Sequence, residues 1–138
     1  MSKSIGFLCF SLAVMSSINI GALADNDLLD LSQAVIIPNS QSHQADKAAE
    51  LLRTEILRRS GIDMPVLIKM PVANLPRIVL DLAQELPPEV QIAASLKPML
   101  STPEGYAIWV TLGEGKQPTV HVVGSDKRGV LFGAGRLI

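Results

Sequence analysis

Three carboxylates are the residues of this chain best suited to acid–base chemistry. Asp63, Asp81 and Glu104 would supply a general acid and a base if the fold brought two of them together. Asp81 lies near the end of one predicted strand and Glu104 begins another, so their separation depends on how those strands pair. Nothing in their spacing requires such a pair, and we expect three separate surface carboxylates.

Histidine and serine side chains give weaker indications of chemistry. His43 and His121 are the two histidines of the chain, and neither has a cysteine or carboxylate at the spacing of metal ligands. Ser60 and Ser125 lack the G-x-S-x-G context of a nucleophilic serine. We therefore predict no catalytic residue, no metal site and no cofactor in this chain.

A glycine-rich turn, G-S-D-K-R-G at residues 124–129, allows two interpretations. It could bind an anion, since a helix is predicted to start there and two cations lie within the turn. Alternatively, Ser125 or Asp126 caps the helix and Arg128 contacts a nearby carboxylate or another domain, while Gly129 and Gly133 let the helix approach the sheet closely. We favour the second interpretation, a capped and closely packed strand-to-helix turn.

An amphipathic helix is the clearest predicted element of the chain. Its apolar positions recur at steps of three and four residues: Ala45, Ala48, Ala49, Leu52 and Ile56. Ser42 is suited to cap its start and Gly61 to end it. Two pairs, Glu50 with Arg53 and Glu55 with Arg59, place opposite charges on its exposed side.

The remaining elements are strands, a hairpin and a final helix. The predicted strands cover residues 33–38, 66–68, 77–82, 105–112 and 119–123. Residues 113–116 form the hairpin turn, and four prolines limit residues 84–103 to a brief helical turn around 89–96. This order predicts an α/β fold, an α+β sandwich with a mixed sheet of about five strands and helices packed on one face.

The first 24 residues have the pattern of a secretory signal peptide. Lys3 provides a positive start, residues 5–15 are mostly apolar, and Ala22-Leu23-Ala24 is an A-x-A cleavage site. The apolar part is too short for a good membrane span. We therefore expect a secreted or periplasmic protein without a stable membrane span once the leader is cleaved.

The rest of the chain divides into a polar lead-in at residues 25–32 and one domain at residues 33–138. Cys9, the single cysteine, lies in the leader, so the mature chain has no thiol for a disulfide or a metal site. The formal net charge of −1 gives no reason to expect nucleic acid as a partner. Tyr106 and Trp109 fall on opposite faces of one strand and cannot form a single sugar-binding platform.

The last helix ends on an apolar sequence. Arg136-Leu137-Ile138 is not followed by the Gly, Asn or Pro that usually marks a helix end. We therefore expect the chain to be the front piece of a longer protein.

The segment from residue 104 onward resembles the N-terminal domain that precedes the catalytic barrel in secreted β-N-acetylhexosaminidases and α-glucuronidases. The matching residues are Glu104, Gly105, Tyr106, Ile108, Gly124, Asp126, Arg128, Gly129, Val130, Leu131, Phe132, Gly133 and Leu137. The earlier helix, with Gly61 and Pro65 after it, fits the opening of the same domain, so the resemblance covers about residues 30–138.

The resemblance implies a non-catalytic domain of an exported glycoside hydrolase acting on terminal N-acetylhexosamine or glucuronic acid. In such enzymes the catalytic groups lie on the (β/α) barrel, which would be this domain's partner in the same polypeptide and would bind the carbohydrate substrate. No residue of this chain matches a catalytic position of the family, so the fragment itself is expected to be inactive. The alternative is a stand-alone exported module that binds a glycan or a protein.

Overall fold

The computed structural model describes residues 29–39, 43–69, 74–113 and 117–138. They form a mixed α/β fold with a single four-stranded sheet, which confirms the predicted fold class. In chain order the elements are β1 (Val35–Pro38), α1 (His43–Ser60), β2 (Arg77–Leu82), a 3-10 turn (Ala83–Glu85), α2 (Lys97–Leu100), β3 (Tyr106–Leu112), β4 (Pro118–Gly124) and α3 (Lys127–Arg136).

The strands lie in the order β1-β2-β4-β3. β1, β2 and β4 are parallel, whereas β3 is antiparallel to β4 and forms the predicted hairpin with it. Tyr106, the first residue of β3, pairs with Gly124, the last residue of β4. This register brings the start of β3 to the same edge of the sheet as the carboxyl ends of the three parallel strands.

α1 buries the side of the helix that its sequence pattern predicts. Its buried residues are Ala45, Ala48, Ala49, Leu52 and Ile56. Gly61 follows with a φ of +72°, and its N–H donates to the Leu57 carbonyl oxygen at 2.9 Å, so it ends the helix as predicted. Arg59 contacts Glu55 at 3.3 Å as expected, whereas Arg53 contacts Asp63 at 2.8 Å rather than Glu50.

The main core lies between one face of the sheet and two helices, α1 and α3. Ile36, Ile78, Leu80 and Val122 are fully buried there. On the helix side the core is completed by Leu52, Ile56, Val130, Ala134 and Leu137. The two longer helices therefore share one face, as the sequence predicts.

The other face of β3 and β4 is covered by the segment between β2 and β3. Ala107, Trp109 and Val123 are buried under apolar side chains of residues 83–100, including Leu96 and Leu100. α2 belongs to this cover, so it lies on the face opposite α1 and α3. The side chains of β3 alternate as the sequence predicts, so successive residues of this strand lie in two different cores on opposite faces of the sheet.

Two predicted elements differ in the structure. The run at residues 66–68 pairs only through Val66, which forms a single bridge with Ile36, and Ile68 is 88% exposed. Three apolar residues without alternation do not fix which side faces a sheet, so this run adds no fifth strand. The short helix is at residues 97–100 rather than around 89–96, because Pro98 is tolerated in its first turn.

Several predictions fall on residues outside the described part of the chain. These are the signal peptide at residues 1–24 with Ala22 and Ala24, the proposed helix cap Ser42, and most of the hairpin turn at 114–116. Of the polar lead-in at 25–32, residues 29–32 are described, and Leu31 is buried in the main core. Among the described segments, no helix has the length and hydrophobicity needed to span a bilayer.

Candidate functional site

The turn after β4 is where the predicted motif residues meet, and we call it the Asp126 junction. It consists of residues 102–106, which lead into β3, and residues 124–133, which end β4 and begin α3. The pairing of Tyr106 with Gly124 brings the two segments together. The junction therefore contains eleven of the thirteen matching residues, including Glu104, Gly105, Tyr106, Gly124, Asp126, Arg128, Gly129 and Gly133.

Asp126 connects the two segments through its carboxylate. Oδ1 accepts hydrogen bonds from the backbone N–H groups of Arg128 at 3.0 Å and Gly129 at 2.9 Å, so Asp126 is the N-cap of α3. Oδ2 accepts the backbone N–H of Glu104 at 2.8 Å. The N–H groups of Gly129 and Glu104 hold the pKa of this carboxyl below its usual range, because they stabilise the ionised form.

Ser125 adds two further hydrogen bonds across the junction. Its backbone N–H donates to the Gly105 carbonyl oxygen at 2.8 Å, and its hydroxyl donates to the Thr102 carbonyl oxygen at 2.6 Å. The hydroxyl thus donates to a backbone carbonyl oxygen, and neither of these two contacts involves a side chain that could act as a general base. Ser125 serves as a link between segments, a role that its local sequence context does not indicate.

Glu104 and Arg128 form an ion pair at the surface of the junction. The guanidinium Nη1 of Arg128 donates to Oε1 of Glu104 at 2.7 Å, which confirms that a nearby carboxylate partners Arg128. Glu104 has a φ of +60°, an uncommon backbone conformation for a residue with a side chain. Its N–H bond to Asp126 and its ion pair with Arg128 both act to hold it there.

Three glycines of the junction lie where two stretches of backbone come into close contact. A Cβ added at Gly105 would collide with the Met99 carbonyl oxygen, and one at Gly124 would collide with the Val130 nitrogen. At Gly129 it would collide with the Gly105 carbonyl oxygen. Each glycine is therefore required by close backbone approach, which is the packing role predicted for Gly129.

Gly133 allows α3 to approach the sheet itself. A Cβ at this position would lie 2.7 Å from Cγ1 of Val122 and 3.4 Å from the side chain of Tyr106. Tyr106 is half-buried and packs over this point of the helix. The predicted motif thus fastens α3 to the hairpin from the first turn of the helix to its middle.

The structure does not favour the anion-binding interpretation of the turn. The N–H groups of Arg128 and Gly129 already donate to the Asp126 carboxylate, and the Arg128 guanidinium is paired with Glu104. An internal carboxylate therefore occupies the place where an external anion would bind a helix N-terminus.

The three carboxylates considered for acid–base chemistry have separate partners. Asp63 accepts from Arg53 at 2.8 Å, and Glu104 accepts from Arg128. Asp81 was expected at the surface, and this expectation is wrong, because it is 2% exposed. It is the second-last residue of β2 and pairs with Val123 of β4.

Asp81 is held by short-range polar contacts. Its Oδ2 accepts from the Asn39 side-chain amide at 2.9 Å, and its Oδ1 accepts from the Leu82 N–H at 3.0 Å. Burial raises the pKa of Asp81, and the hydrogen bond from Asn39 opposes that rise. The contact ties the residue after β1 to β2, and the charge of Glu85 adds a smaller upward contribution to the pKa of Asp81.

His121 lies on the sheet face opposite α1 and stacks on Trp109. The ring centroids are 5.0 Å apart with an interplanar angle of 12°, and the imidazole Nε2 is 2.9 Å from the Thr111 hydroxyl oxygen. Burial lowers the pKa of His121 to about 4, so the ring is neutral at physiological pH. The sequence contains the signal for this stack, because Trp109 and His121 are directly opposite in the hairpin register.

Metal-ligating side chains do not cluster in the described part of the chain. No group of three or more His, Cys, Asp or Glu residues is placed to hold a metal ion among these residues. His43 lies exposed in the first turn of α1, whereas His121 is on β4.

The chain has a distant likeness to a solved structure, but matches no family model and no curated protein. Among solved structures it is similar to a GH138 enzyme targeting pectin rhamnogalacturonan II, with 19% sequence identity and a TM-score of 0.43. The match covers 73% of this chain and 9% of that enzyme. A likeness this distant carries no argument about function, which therefore depends on the geometry of the Asp126 junction and on the motif residues.

Proposed function

We propose that this chain is a non-catalytic accessory domain of an exported glycoside hydrolase that removes terminal N-acetylhexosamine or glucuronic acid from glycans. The proposal rests on the sequence resemblance over residues 30–138 and on the contacts that the motif residues make within the fold. The domain would pack on a catalytic barrel of the same polypeptide and support its active-site loops. The carbohydrate would bind to that barrel.

One observation carries the proposal: the polar, glycine and tyrosine residues of the motif in the Asp126 junction bind or pack against each other. Glycoside hydrolysis needs two carboxyl groups flanking the scissile bond, one of them protonated to act as the acid. Backbone N–H groups lower the pKa of Asp126, and Glu104 forms an ion pair with Arg128. The side chains of the motif thus serve a scaffold rather than a reaction.

The N-terminal sequence supports export of this domain. The positive start, the apolar stretch and the A-x-A site at Ala22 and Ala24 together form the leader pattern. A glycan-degrading enzyme meets polymeric substrates outside the cytoplasm, so the leader and the proposed activity agree with each other.

Reading the gene beyond the codon for Ile138 tests the proposal first. We expect an open frame that continues into strand–helix repeats with an acidic pair, and its product should hydrolyse a chromogenic N-acetylhexosaminide or glucuronide. Testing both substrates separates the two enzyme types. A natural stop codon directly after Ile138 would instead favour the stand-alone binding module.

A further inference from the structure

The two edges of the sheet are treated differently by the fold. The strand order β1-β2-β4-β3 places β1 at one edge and β3 at the other. β1 is four residues long and is covered on its outer side, where the Ile36 N–H donates to the Pro65 carbonyl oxygen and the Leu67 N–H donates to the Ile36 carbonyl oxygen. β3 is seven residues long, and no described segment pairs with its outer side. In the described part of the chain, β3 is therefore the open edge.

The hydrogen bonds just beyond the two ends of β3 show which of its backbone groups point outward. The Gly113 N–H donates to the Gln117 carbonyl oxygen, and the Ser125 N–H donates to the Gly105 carbonyl oxygen. Both bonds join residues that are opposite in the hairpin register. Antiparallel bonding alternates along a strand, so the odd-numbered residues of β3 bond to β4. The even-numbered residues point their N–H and C=O groups away from the sheet.

The outward residues are Tyr106, Ile108, Val110 and Leu112. Leu112 pairs with Pro118, which has no N–H to donate, as expected for a pair that is not hydrogen-bonded. Among the described residues, no hydrogen bond reaches the outward N–H and C=O groups of these four. Tyr106, Ile108 and Leu112 keep exposed surface, whereas Val110 is 4% exposed. Another strand beside β3 would supply the missing partners.

β3 has none of the features that normally protect an edge strand. Its sequence, YAIWVTL, contains no charged residue and no proline, and its pairing with β4 runs without a bulge. Edge strands are usually short, charged, bulged or covered, because their unpaired backbone groups attract other strands. A long, regular and uncharged edge therefore fits a strand that is paired in the functional protein.

Exposed apolar side chains lie beside β3 on both faces of the sheet. α3 contacts β3 from one face and α2 contacts it from the other. Phe132 of α3 is 49% exposed and Met99 of α2 is 53% exposed. Phe132 lies one turn after Gly129, whose Cβ would meet the Gly105 carbonyl oxygen, so Phe132 is on the side of α3 nearest the entry to β3. A partner at this edge would cover apolar surface in both layers as well as the backbone.

A second copy of the chain has a strand that matches this edge. A two-fold axis beside Trp109 makes the two β3 strands antiparallel. Ile108 of each copy then lies opposite Val110 of the other. Tyr106 lies opposite Leu112 in the same way, so the outward groups of both copies are all paired. No like charges meet along the strands, because β3 carries none.

We propose that this chain forms a homodimer through antiparallel pairing of its β3 edges, which joins two four-stranded sheets into one of eight strands. Pairing uses the open edge of each copy, so the assembly closes as a dimer and does not grow into a fibre. α1 and α3 of both copies would lie on one face of the joined sheet, because the two-fold axis is perpendicular to it. The inference rests on the fold and goes beyond the proposed function, since a hydrolase domain and a binding module could both form this dimer.

Sedimentation velocity tests this dimer on the exported chain of residues 25–138 and on the whole gene product. We expect a concentration-dependent dimer of each and no larger species. A chain that stays monomeric up to about 100 μM, or one that forms larger species, would overturn the inference. A dimer of residues 25–138 that is absent from the whole product would also overturn it, because another part of the polypeptide would then occupy the edge.

A charge placed on the edge provides a variant with a matched control. Leu112 lies outside the apolar clusters of the domain, so Leu112→Lys should leave the fold intact. The new cation on the edge should weaken the dimer by roughly tenfold or more. Leu51→Lys makes the same change on α1, at a side chain 41% exposed, and should leave the dimer unchanged. Equal dimerisation of the two variants would contradict pairing through β3.

Amide hydrogen exchange, resolved by residue in NMR spectra, gives a readout that needs no variant. On dimerisation the N–H groups of Ile108 and Leu112 should become protected, because they bond to the other copy. The N–H groups of Ala107 and Trp109 already bond to β4 and should be protected in monomer and dimer alike. A dimer in which Ile108 and Leu112 exchange as fast as in the monomer would use another surface and would refute the proposal.

Discussion

Asp126 connects more of this domain than any other side chain of the junction. One oxygen caps α3, and the other holds the backbone of Glu104 in its unusual conformation. The glycine-rich turn predicted from the sequence therefore joins the residues that lead into β3 to the start of α3. An aspartate is suited to this position because its two oxygens accept from both segments at once.

Substitution of Asp126 should separate its two roles. Asp126→Asn keeps an oxygen for the helix cap but can turn its amide group towards the Glu104 N–H, which also donates. We expect the urea midpoint to fall in the order wild type, Asp126→Asn, Asp126→Ala. Because the pKa of Asp126 is lowered in the folded state, this contribution is present above the carboxyl's ordinary pKa of 3.8 and is lost as the pH falls below it. An Asn variant as stable as wild type would show that the link to Glu104 is unimportant.

The lowered pKa of His121 predicts how the stability of the folded domain depends on pH. Its pKa falls from 6.5 to about 4 on folding, so the unfolded chain takes up the proton more readily than the folded one. Stability is therefore fully present above about pH 6.5 and declines as the pH falls towards 4. At pH 5 the loss relative to pH 7 should be about 2 kcal/mol.

Urea unfolding followed by the fluorescence of Trp109 measures this loss, because Trp109 is the single tryptophan and stacks on His121. His121→Phe is the control, since it keeps a ring in the stack and cannot take up a proton. Most of the difference between pH 7 and pH 5 should disappear in that variant. An unchanged difference would assign the pH effect to other groups.

Two glycines of α3 provide a matched test of how this helix packs. Gly129→Ala should destabilise the domain by about 1–3 kcal/mol, because the new Cβ collides with the Gly105 carbonyl oxygen. Gly135→Ala should stabilise the exported chain by roughly 0.5–1 kcal/mol, because the new Cβ meets open space. Thermal unfolding of both variants measures the contrast. Equal effects would mean that α3 does not approach the β3 entry as closely as described.

Local periodicity was enough to predict α1 and the β3–β4 hairpin, because in each case the buried positions repeat with one clear spacing. It was not enough for the run at residues 66–68, which is too short to specify a face. The partner of Arg53 lies in the loop after α1 and the stack on His121 follows from the hairpin register, whereas the contact that holds the buried Asp81 comes from Asn39, which is distant in sequence. The residue types in the glycine-rich turn did indicate a helix cap and close packing. Only the structure shows which backbone atoms lie next to each glycine.

At the scale of the whole molecule, the residues of the glycine-rich turn at 124–129 make contacts within the domain, whereas Leu131 and Phe132 of α3 are exposed. The leader pattern in residues 1–24 gives a prediction about processing. The exported protein should begin at Asp25, directly after the A-x-A site. N-terminal sequencing of the protein recovered from a periplasmic or medium fraction measures this, and a first residue still inside the leader would contradict cleavage at Ala24.

The most direct test of the account compares sugar hydrolysis by residues 25–138 with hydrolysis by the whole gene product. Both proteins are incubated with a chromogenic N-acetylhexosaminide and a chromogenic glucuronide under the same conditions. We predict turnover of one substrate by the whole product and none by residues 25–138. Enzyme-level turnover by residues 25–138 alone would contradict the claim that this domain is a scaffold.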